Sequence, residues 1–281
     1  MFVVRVSVLM PVYRTNEEYL REAISSILAQ TYSDFEFLIL DDCPEDDREL
    51  IVKSYKDRRI KYLRNEANMG ISESRNKLVD MARGEYLAVM DHDDVSLPER
   101  LEKQVDYLDA HPDVGVVGCC YCIIDTKKTV LLPENTFEIK VLLMDSCALC
   151  HPSSMIRKSV LIENKIRYEK EYSPAEDYKL WCSLVPYTNF YNLQEILFCY
   201  RDWKHNTSNT ECKNMKFITS VIQAENYIKF PSLYSVFLKM RRVVKRLNLF
   251  GIIPFIKIIE TYQLKKIYVC GVHIISLKIK K

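Results

Sequence analysis

The 281-residue sequence has no long apolar run. A membrane-spanning helix needs about 18 consecutive apolar residues, and no segment approaches that length. The apolar start, residues 2–11, contains Arg5 and is followed by no cleavage pattern of small residues, so it does not resemble a secretory signal peptide. We therefore predict neither a transmembrane helix nor an export signal. We expect a cytoplasmic chain whose ten cysteines are reduced thiols.

Glycine is also scarce, with six in the whole chain. None falls between Pro11 and Thr15, directly after the first predicted strand, so that turn lacks the glycines of a phosphate-binding loop. Repeats and low-complexity tracts are absent as well. The composition, 48% hydrophobic and 28% charged, is that of a globular protein. A chain of this length can hold one α/β domain with an appendage.

The net charge is only +2, but it is unevenly distributed. Residues 237–281 hold eight lysines and three arginines against one acid, whereas the other residues hold 29 basic and 37 acidic side chains. At helical spacing, four apolar side chains share one face opposite the basic ones: Phe237, Met240, Val244 and Leu247. This pattern is typical of a helix that lies on anionic lipid. A helix packed on the main domain is the alternative, and nucleic acid is not the expected partner.

Short apolar segments alternate with amphipathic ones over the first 95 residues. Strands are predicted at residues 3–10, 35–40, 60–63 and 85–90, and helices at 16–30, 49–55 and 71–82. Further helices are predicted at 100–110 and 177–185, and a strand pair within 114–124. The alternation predicts an α/β fold with a doubly wound, mostly parallel sheet. In such sheets ligands bind at the carboxyl ends of the strands.

Acidic residues lie at two of these strand ends. Asp41 and Asp42 end the second strand, and Asp91, Asp93 and Asp94 follow the fourth. Clustered carboxylates repel one another unless a cation lies between them. Mg²⁺ and Mn²⁺ prefer oxygen ligands and often share them with phosphates. The clusters therefore predict a divalent metal site, with a solvated loop that caps the next helix as the alternative.

An ordered series of short motifs runs from about residue 4 to 210. It consists of Val6-Ser7-Val8-Leu9-Met10-Pro11-Val12-Tyr13, Ser25-Ser26-Ile27-Leu28-Ala29-Gln30-Thr31, Leu40-Asp41-Asp42, Asn68-Met69-Gly70-Ile71, Ser74-Arg75-Asn76, Ala82-Arg83-Gly84-Glu85-Tyr86, Asp91-His92-Asp93, Ala175-Glu176-Asp177, and Tyr200-Arg201 with His205. This set resembles the family 2 glycosyltransferases of the GT-A fold, bacterial enzymes that build lipopolysaccharide, capsule and related glycans. Any one motif is weak, but the ordered set is specific.

The resemblance implies a role for many of these residues. Those expected to bind the nucleotide sugar are Pro11, Val12, Tyr13, Asp41, Asp42, Arg75, Asn76, Asp91 and His92. Those expected to hold Mn²⁺ or Mg²⁺ are Asp91, Asp93, Asp94 and His205. Asp42 is preferred to Asp41 as the partner of the uracil N–H, which needs an acceptor.

The resemblance also implies the chemistry. Cleavage of a sugar–phosphate bond leaves extra negative charge on the diphosphate, which a divalent cation neutralises. The attacking acceptor hydroxyl must lose a proton, and the family places a carboxylate base at the position of Asp177. Glu176 is the second candidate for the base. The alternative interpretation of Asp177 is an acid that only stabilises the start of a helix. One base without a second nucleophile predicts single displacement with inversion.

We accordingly expect an inverting hexosyltransferase that uses a UDP-hexose or UDP-N-acetylhexosamine and a hydroxyl of a glycan or lipid-linked saccharide. Residues 1–236 would form the GT-A domain, with a nucleotide-binding half at 1–110 and an acceptor-binding half at 111–236. Residues 237–281 would hold it on the inner face of the cell membrane. One alternative is a sugar-nucleotide nucleotidyltransferase, which the missing phosphate loop disfavours. The other is an inactive membrane-associated scaffold, which the retained aspartates disfavour.

Overall fold

A computed structural model of the chain describes residues 4–45, 48–203, 206, 210–249, 256–258, 267–269 and 272–275. Its first half alternates strands and helices as predicted: β1 (Val6–Val12), α1 (Glu17–Leu28), β2 (Phe35–Asp41), α2 (Glu49–Lys53), β3 (Ile60–Arg64), α3 (Ile71–Met81) and β4 (Tyr86–Val89). The strands lie parallel in the order β3-β2-β1-β4. Every residue of β1, β2 and β4 is buried, as expected for parallel strands that are covered on both faces.

The second half extends the same sheet. Its elements are β5 (Val95–Ser96), α4 (Arg100–Ala110), β6 (Val114–Ile123), β7 (Thr129–Val130), α5 (Thr136–Leu142), β8 (Met155–Arg157), α6 (Lys158–Glu163), α7 (Glu176–Leu184), β9 (Asn189–Tyr200), α8 (Cys212–Lys229) and α9 (Pro231–Leu249). The order continues as β4-β8-β6-β9-β5, and β7 pairs with β6. Strand β8 is antiparallel to both neighbours, whereas the long pairing of β6 with β9 is parallel.

The predicted strand pair within residues 114–124 is wrong, because one continuous strand, β6, occupies this segment. The two glycines of β6 allow a close approach to β9 and do not form a turn. A Cβ on Gly118 would lie 2.2 Å from Asn192 Oδ1, and one on Gly115 would lie 2.3 Å from Thr188 Oγ1. Side chains there would push β6 and β9 apart.

Two clusters of buried apolar side chains cover the two faces of the sheet. Val8 and Met10 belong to one cluster and Leu9 to the other, because successive side chains of a strand point to opposite faces. The clusters hold β1 in the middle of the sheet, and its carboxyl end opens towards the site described below.

The helix predicted to begin near residue 237 starts earlier, since α9 runs from Pro231 and crosses the predicted boundary between residues 236 and 237. Leu233, Tyr234 and Phe237 pack against the main core, so the start of this helix belongs to the body of the protein. Beyond it, the strands β10 (Ile256–Ile258), β11 (Ile267–Val269) and β12 (Val272–Ile275) form a small antiparallel sheet. Within the described part of the chain, no helix has the length and apolarity needed to cross a membrane.

The expectation of reduced thiols fails at one pair of cysteines. Cys122 of β6 and Cys199 of β9 are directly opposite each other in the parallel ladder and form a disulfide. Sequence spacing could not reveal this pair, because 77 residues separate the two positions. Cys147 and Cys150 are not bonded to each other.

Glu36 ties together the amino ends of the central strands. Its buried carboxylate accepts hydrogen bonds from Ser7 Oγ (2.7 Å), Lys61 Nζ (2.6 Å), and Arg83 through both the backbone N–H (2.7 Å) and Nε (2.9 Å). Burial by itself would raise the pKa of Glu36, but these donors lower it to about 2. Gly84 N donates in turn to Ser7 Oγ, which completes the connection to the turn before β4.

Replacing Glu36 with Gln should lower the free energy of unfolding at pH 7 by about 2 kcal/mol, because charge-assisted hydrogen bonds to a buried carboxylate are lost. The folded-state pKa of about 2 lies below the ordinary 4.5. This contribution is therefore present above about pH 4.5 and is lost as the pH falls towards 2. Urea unfolding at pH 7 and pH 3 should show a smaller difference between Glu36→Gln and wild type at pH 3. Glu49→Gln, which alters a surface pair with Lys53, is the control, and equal losses in both variants would contradict the assignment.

Candidate active site

A cavity of about 1220 Å³ opens at the carboxyl ends of β1, β2 and β4. Most of the predicted site residues line it: Pro11, Val12, Tyr13, Asp42, Arg75, Asp91, His92, Asp93, Glu176 and Asp177. The structure does not bring Asp41, Asn76 or Asp94 to the cavity wall. His205 lies outside the described residues. Acids from the first half of the chain and acids at the start of α7 therefore line the same cavity.

Of the two adjacent aspartates at the carboxyl end of β2, only Asp42 lines the cavity. Its Oδ1 accepts from Met69 N (2.8 Å) and Asn65 Nδ2 (2.7 Å), and its Oδ2 accepts from Gly70 N (2.8 Å). Asp42 thus holds the turn that leads into α3, where Gly70 has a φ of +84° that favours glycine. Asp41 instead accepts from the Tyr62 hydroxyl and from the backbone N–H of Cys43, inside the protein.

Arg75 lies at the centre of the acidic wall. Its buried guanidinium donates from Nη1 to Glu176 Oε1 (2.6 Å) and from Nη2 to Asp91 Oδ1 (3.3 Å). The guanidinium carbon is 5.5 Å from the ring centre of Tyr168. Burial would lower the pKa of Arg75, but the charges of Asp91 and Glu176 raise it above its usual value. Arg75 therefore remains a cation that links the two halves of the site.

Asn76, which was expected to bind the nucleotide sugar, does not line the cavity. Its Nδ2 donates to the backbone oxygen of Tyr168 (2.9 Å), and its Oδ1 accepts from the backbone N–H of Tyr168 (3.0 Å). The side chain points away from the cavity because both of its polar atoms bind this one residue. The hydroxyl of Tyr168 also pairs with His151 Nε2 (2.9 Å), so Tyr168 is fixed at both ends beneath Arg75.

The loop after β4 presents two carboxylates and buries a third. Asp91 and Asp93 line the cavity, and Asp93 Oδ2 accepts from the indole N–H of Trp203 (2.8 Å). Asp94 is 1% exposed; its Oδ1 accepts from Arg201 N (2.7 Å) and its Oδ2 has no partner. Burial raises the pKa of both Asp91 and Asp94. The loop thus concentrates three carboxyl groups at the end of one strand, where burial opposes the ionisation of two of them.

The donor set of this loop fits a hard divalent cation. Asp91 and Asp93 offer carboxylate oxygens, which such ions prefer. Among the residues that the structure describes, no three acidic, histidine or cysteine side chains are close enough to hold a metal by themselves. An ion here would therefore take further oxygens from a bound diphosphate, as Mg²⁺ usually does.

The two acids at the start of α7 differ in their partners. Glu176 gives one oxygen to Arg75, and its Oε2 has no partner. Asp177 Oδ1 accepts from Tyr178 N (2.6 Å), and among the residues that the structure describes no cation forms an ion pair with this carboxylate. Burial first, and then the charge of Glu176, raise the pKa of Asp177 to about 6. Asp177 is thus the better proton acceptor near neutral pH.

Trp203 and Tyr168 are the contributors that the sequence analysis missed. Trp203 binds Asp93 and packs edge-on against Tyr19 at 5.5 Å between ring centres. Trp203 lies only two residues after the Tyr200-Arg201 motif, so its position in the sequence could have identified it as a candidate site residue. Tyr168 carries no motif, and its role follows only from its contacts.

The family model for Glycosyl transferase family 2 matches residues 7–164. The chain belongs to glycosyl transferase family 2. This family 2 glycosyltransferase is 38% identical over 207 residues to an uncharacterised glycosyltransferase of Methanocaldococcus jannaschii, with 70% of each chain covered. It is 35% identical to the O-antigen biosynthesis glycosyltransferase WbnJ of Escherichia coli, covering 70% of this chain and 79% of the relative. The glucosyltransferase WfgD of E. coli, which transfers from UDP-Glc to GlcNAc-diphosphoundecaprenol, is 28% identical over 75% of this chain and 82% of its own.

Solved structures confirm the GT-A fold of this family 2 glycosyltransferase. TarS of S. aureus in complex with UDP-GlcNAc superposes with a TM-score of 0.65 at 21% identity, covering 79% of this chain and 66% of TarS. The mannosyltransferase PcManGT of Pyrobaculum calidifontis, bound to GDP-Man and Mn²⁺, has a TM-score of 0.58 at 15% identity, covering 86% of this chain and 75% of its own. At these identities the likeness concerns the fold.

Opposite stability changes are expected at the two neighbouring acids of α7. The pKa of Asp177, about 6, exceeds the ordinary 3.8, so the fold disfavours the ionised form of this side chain. The resulting loss of folding stability is present above pH 6 and disappears as the pH falls towards 4. Asp177→Asn should therefore stabilise the protein at pH 8 by about 1 kcal/mol and have little effect at pH 4.5. Glu176→Gln should destabilise it by about 2 kcal/mol, because Arg75 loses a buried partner. Thermal unfolding of both variants at both pH values measures this, and a loss of stability in Asp177→Asn at pH 8 would contradict it.

Proposed function

We propose that this enzyme transfers a hexose or N-acetylhexosamine from a UDP-sugar to a saccharide hydroxyl, with inversion at the sugar C1. The observation that carries the proposal is that Asp42, Asp91 and Asp93, expected on the donor side, share one cavity with Asp177. The UDP-sugars named for TarS and WfgD support the choice of nucleotide. A cavity with acids at both sides suits a reaction in which a nucleotide leaves as a proton is removed.

A divalent cation completes the donor side in this proposal. Asp91 and Asp93 would hold it, and it would neutralise the charge that builds up on the departing diphosphate. The Mn²⁺ bound in PcManGT supports this dependence. Arg75 would keep Asp91 in place, since the two side chains already form an ion pair in the cavity wall.

Asp177 would act as the base. The acceptor oxygen forms a bond to C1 as the bond between C1 and the β-phosphate oxygen breaks, and the hydroxyl proton passes to the Asp177 carboxylate. Glu176 would position this base through Arg75 rather than take the proton, because its Oε1 already accepts a hydrogen bond from the Arg75 guanidinium. Attack from the face opposite the leaving group gives inversion in a single step.

The acceptor would be a growing cell-surface glycan on a lipid carrier. WbnJ and WfgD are named for such synthesis. The basic segment 237–281 would keep the enzyme at the anionic inner face of the cell membrane. Family membership favours glycosyl transfer over the nucleotidyltransferase and inactive-scaffold alternatives, and the position of the candidate base Asp177 on the cavity wall adds a reason against loss of catalysis.

Binding of UDP should depend on a divalent ion and on the loop after β4. Mn²⁺ with UDP should raise the melting temperature of the wild-type protein by several degrees, and UDP with EDTA should not. Asp93→Ala should lose most of this shift because a carboxylate at the cavity wall is removed. Asp80→Ala, which breaks an exposed pair with Arg167, is the matched control. An undiminished shift in Asp93→Ala would reject the metal assignment.

Transfer should require an ionised Asp177. Asp177→Asn keeps the shape and the hydrogen bond from Tyr178 but cannot accept a proton, so the turnover of UDP-sugar should fall by roughly 10² to 10⁴-fold with little change in UDP binding. In the wild type, kcat/KM should decline as the pH falls through about 6, the pKa of Asp177. A panel of UDP-hexoses and UDP-N-acetylhexosamines identifies the donor for this assay. Activity within a few-fold of wild type in Asp177→Asn would place the base elsewhere.

A further inference from the structure

Helix α8 has an apolar stripe on the side that faces away from the body. Its inner face carries the buried Ile222 and Asn226, and Asn226 donates to the backbone of residue 143. Apolar residues recur along its outer side at spacings of four, three and four: the exposed Phe217, Ala224 and Ile228 and the half-buried Val221. Phe217 is 64% exposed and Ile228 is 78% exposed. A single exposed apolar residue is ordinary, but a continuous stripe on one helix face indicates a binding surface.

The charges around this stripe select the kind of partner. Lys213 and Lys216 are exposed beside it. The single acid within the helix, Glu225, is turned to the body, where it accepts from the Tyr172 hydroxyl and Lys179 Nζ (both 2.5 Å). An apolar stripe bordered by lysines, with its acid paired to Lys179 on the body side of the helix, matches an interfacial helix on an anionic bilayer. The basic residues that follow in the sequence add to the same positive charge.

We infer that the outer face of α8 inserts into the headgroup region of an anionic membrane and that this face orients the active site. Helix α8 also lines the cavity, through Glu211 at its start and through Met215 and Thr219. A helix is about 10 Å across, so a membrane on its outer face lies about that distance from the cavity wall. Tyr227, 58% exposed at the border of the stripe, suits the interface between headgroups and acyl chains.

The inference rests on the proposed function in one respect, since a lipid-linked acceptor gives this orientation its use. A saccharide attached to a membrane lipid could enter the cavity past α8 without leaving the bilayer surface. The lipid contact itself depends only on the stripe and on the charges, so it can be tested without turnover.

The test compares full-length variants for co-sedimentation with vesicles of phosphatidylcholine alone and with added phosphatidylglycerol. Wild type should bind the anionic vesicles and leave the neutral ones largely free. The double variant Phe217→Ser/Ile228→Ser should lose binding by about tenfold or more, because two apolar side chains no longer enter the interface. Lys213→Glu/Lys216→Glu should weaken binding and reduce its salt dependence. Leu50→Ser, which removes an equally exposed apolar residue (69%) on α2, should bind as wild type does.

Several results would overturn the inference. Unchanged binding by the double variant would assign the membrane contact to another segment, and equal binding to both kinds of vesicle would remove the electrostatic selection. A dimer in sedimentation velocity that the double variant converts to monomer would mean that a second copy covers the stripe. Thermal stabilisation of each variant by UDP and Mn²⁺ checks that the fold is intact. If the vesicle results hold while no UDP-sugar is turned over, the proposed function fails and the membrane surface stands.

Discussion

The ion pairs of Arg75 are the interaction on which the site depends. A buried guanidinium would be costly by itself, and so would the carboxylates of Asp91 and Glu176. Placed together they compensate one another, and they join α3 and the loop after β4 to the start of α7. The two halves of the chain thus meet through charge at the point where the cavity opens. Tyr168 supports the arrangement from below, and Asn76 and His151 fix it there.

The single positive charge of Arg75 cannot neutralise every acid in the cavity wall. The acids that Arg75 does not bind determine what chemistry the site can perform. The contrast with Glu36 at the opposite edge of the sheet makes this clear. The carboxylates of Glu36 and Asp177 are both at least partly buried. Glu36 accepts from four hydrogen-bond donors and has a pKa of about 2. Asp177 accepts from one backbone donor and has a pKa of about 6. The number of hydrogen-bond donors therefore distinguishes a carboxylate that stabilises the fold from one that can exchange a proton near neutral pH.

The sequence predicted the parallel half of the sheet and the position of most site residues, because apolar periodicity and strand-end acids are local features. The family resemblance preferred Asp42 to Asp41, but the reason that Asp41 faces inward is its contact with Tyr62, a residue of the neighbouring strand, which the sequence alone does not show. It misplaced Asn76 because the partner, Tyr168, lies 92 residues away. The sequence predicted a strand pair where β6 is one continuous strand, whose glycines make room for Asn192 and Thr188. Each miss involves a contact that only the tertiary fold creates.

The same limit explains why the sequence alone predicts a membrane surface in residues 237–281 and not in α8. Composition detects a concentration of lysine and arginine wherever it occurs, but it cannot tell an apolar residue that packs inward from one that faces solvent. Phe237 has the apolar character and spacing of an interfacial residue, and yet it packs on the core. Phe217 belongs to a less basic helix and is left exposed. Burial rather than sequence pattern therefore decides which apolar face is free for lipid, and α8 is the helix that combines a free face with a wall of the cavity.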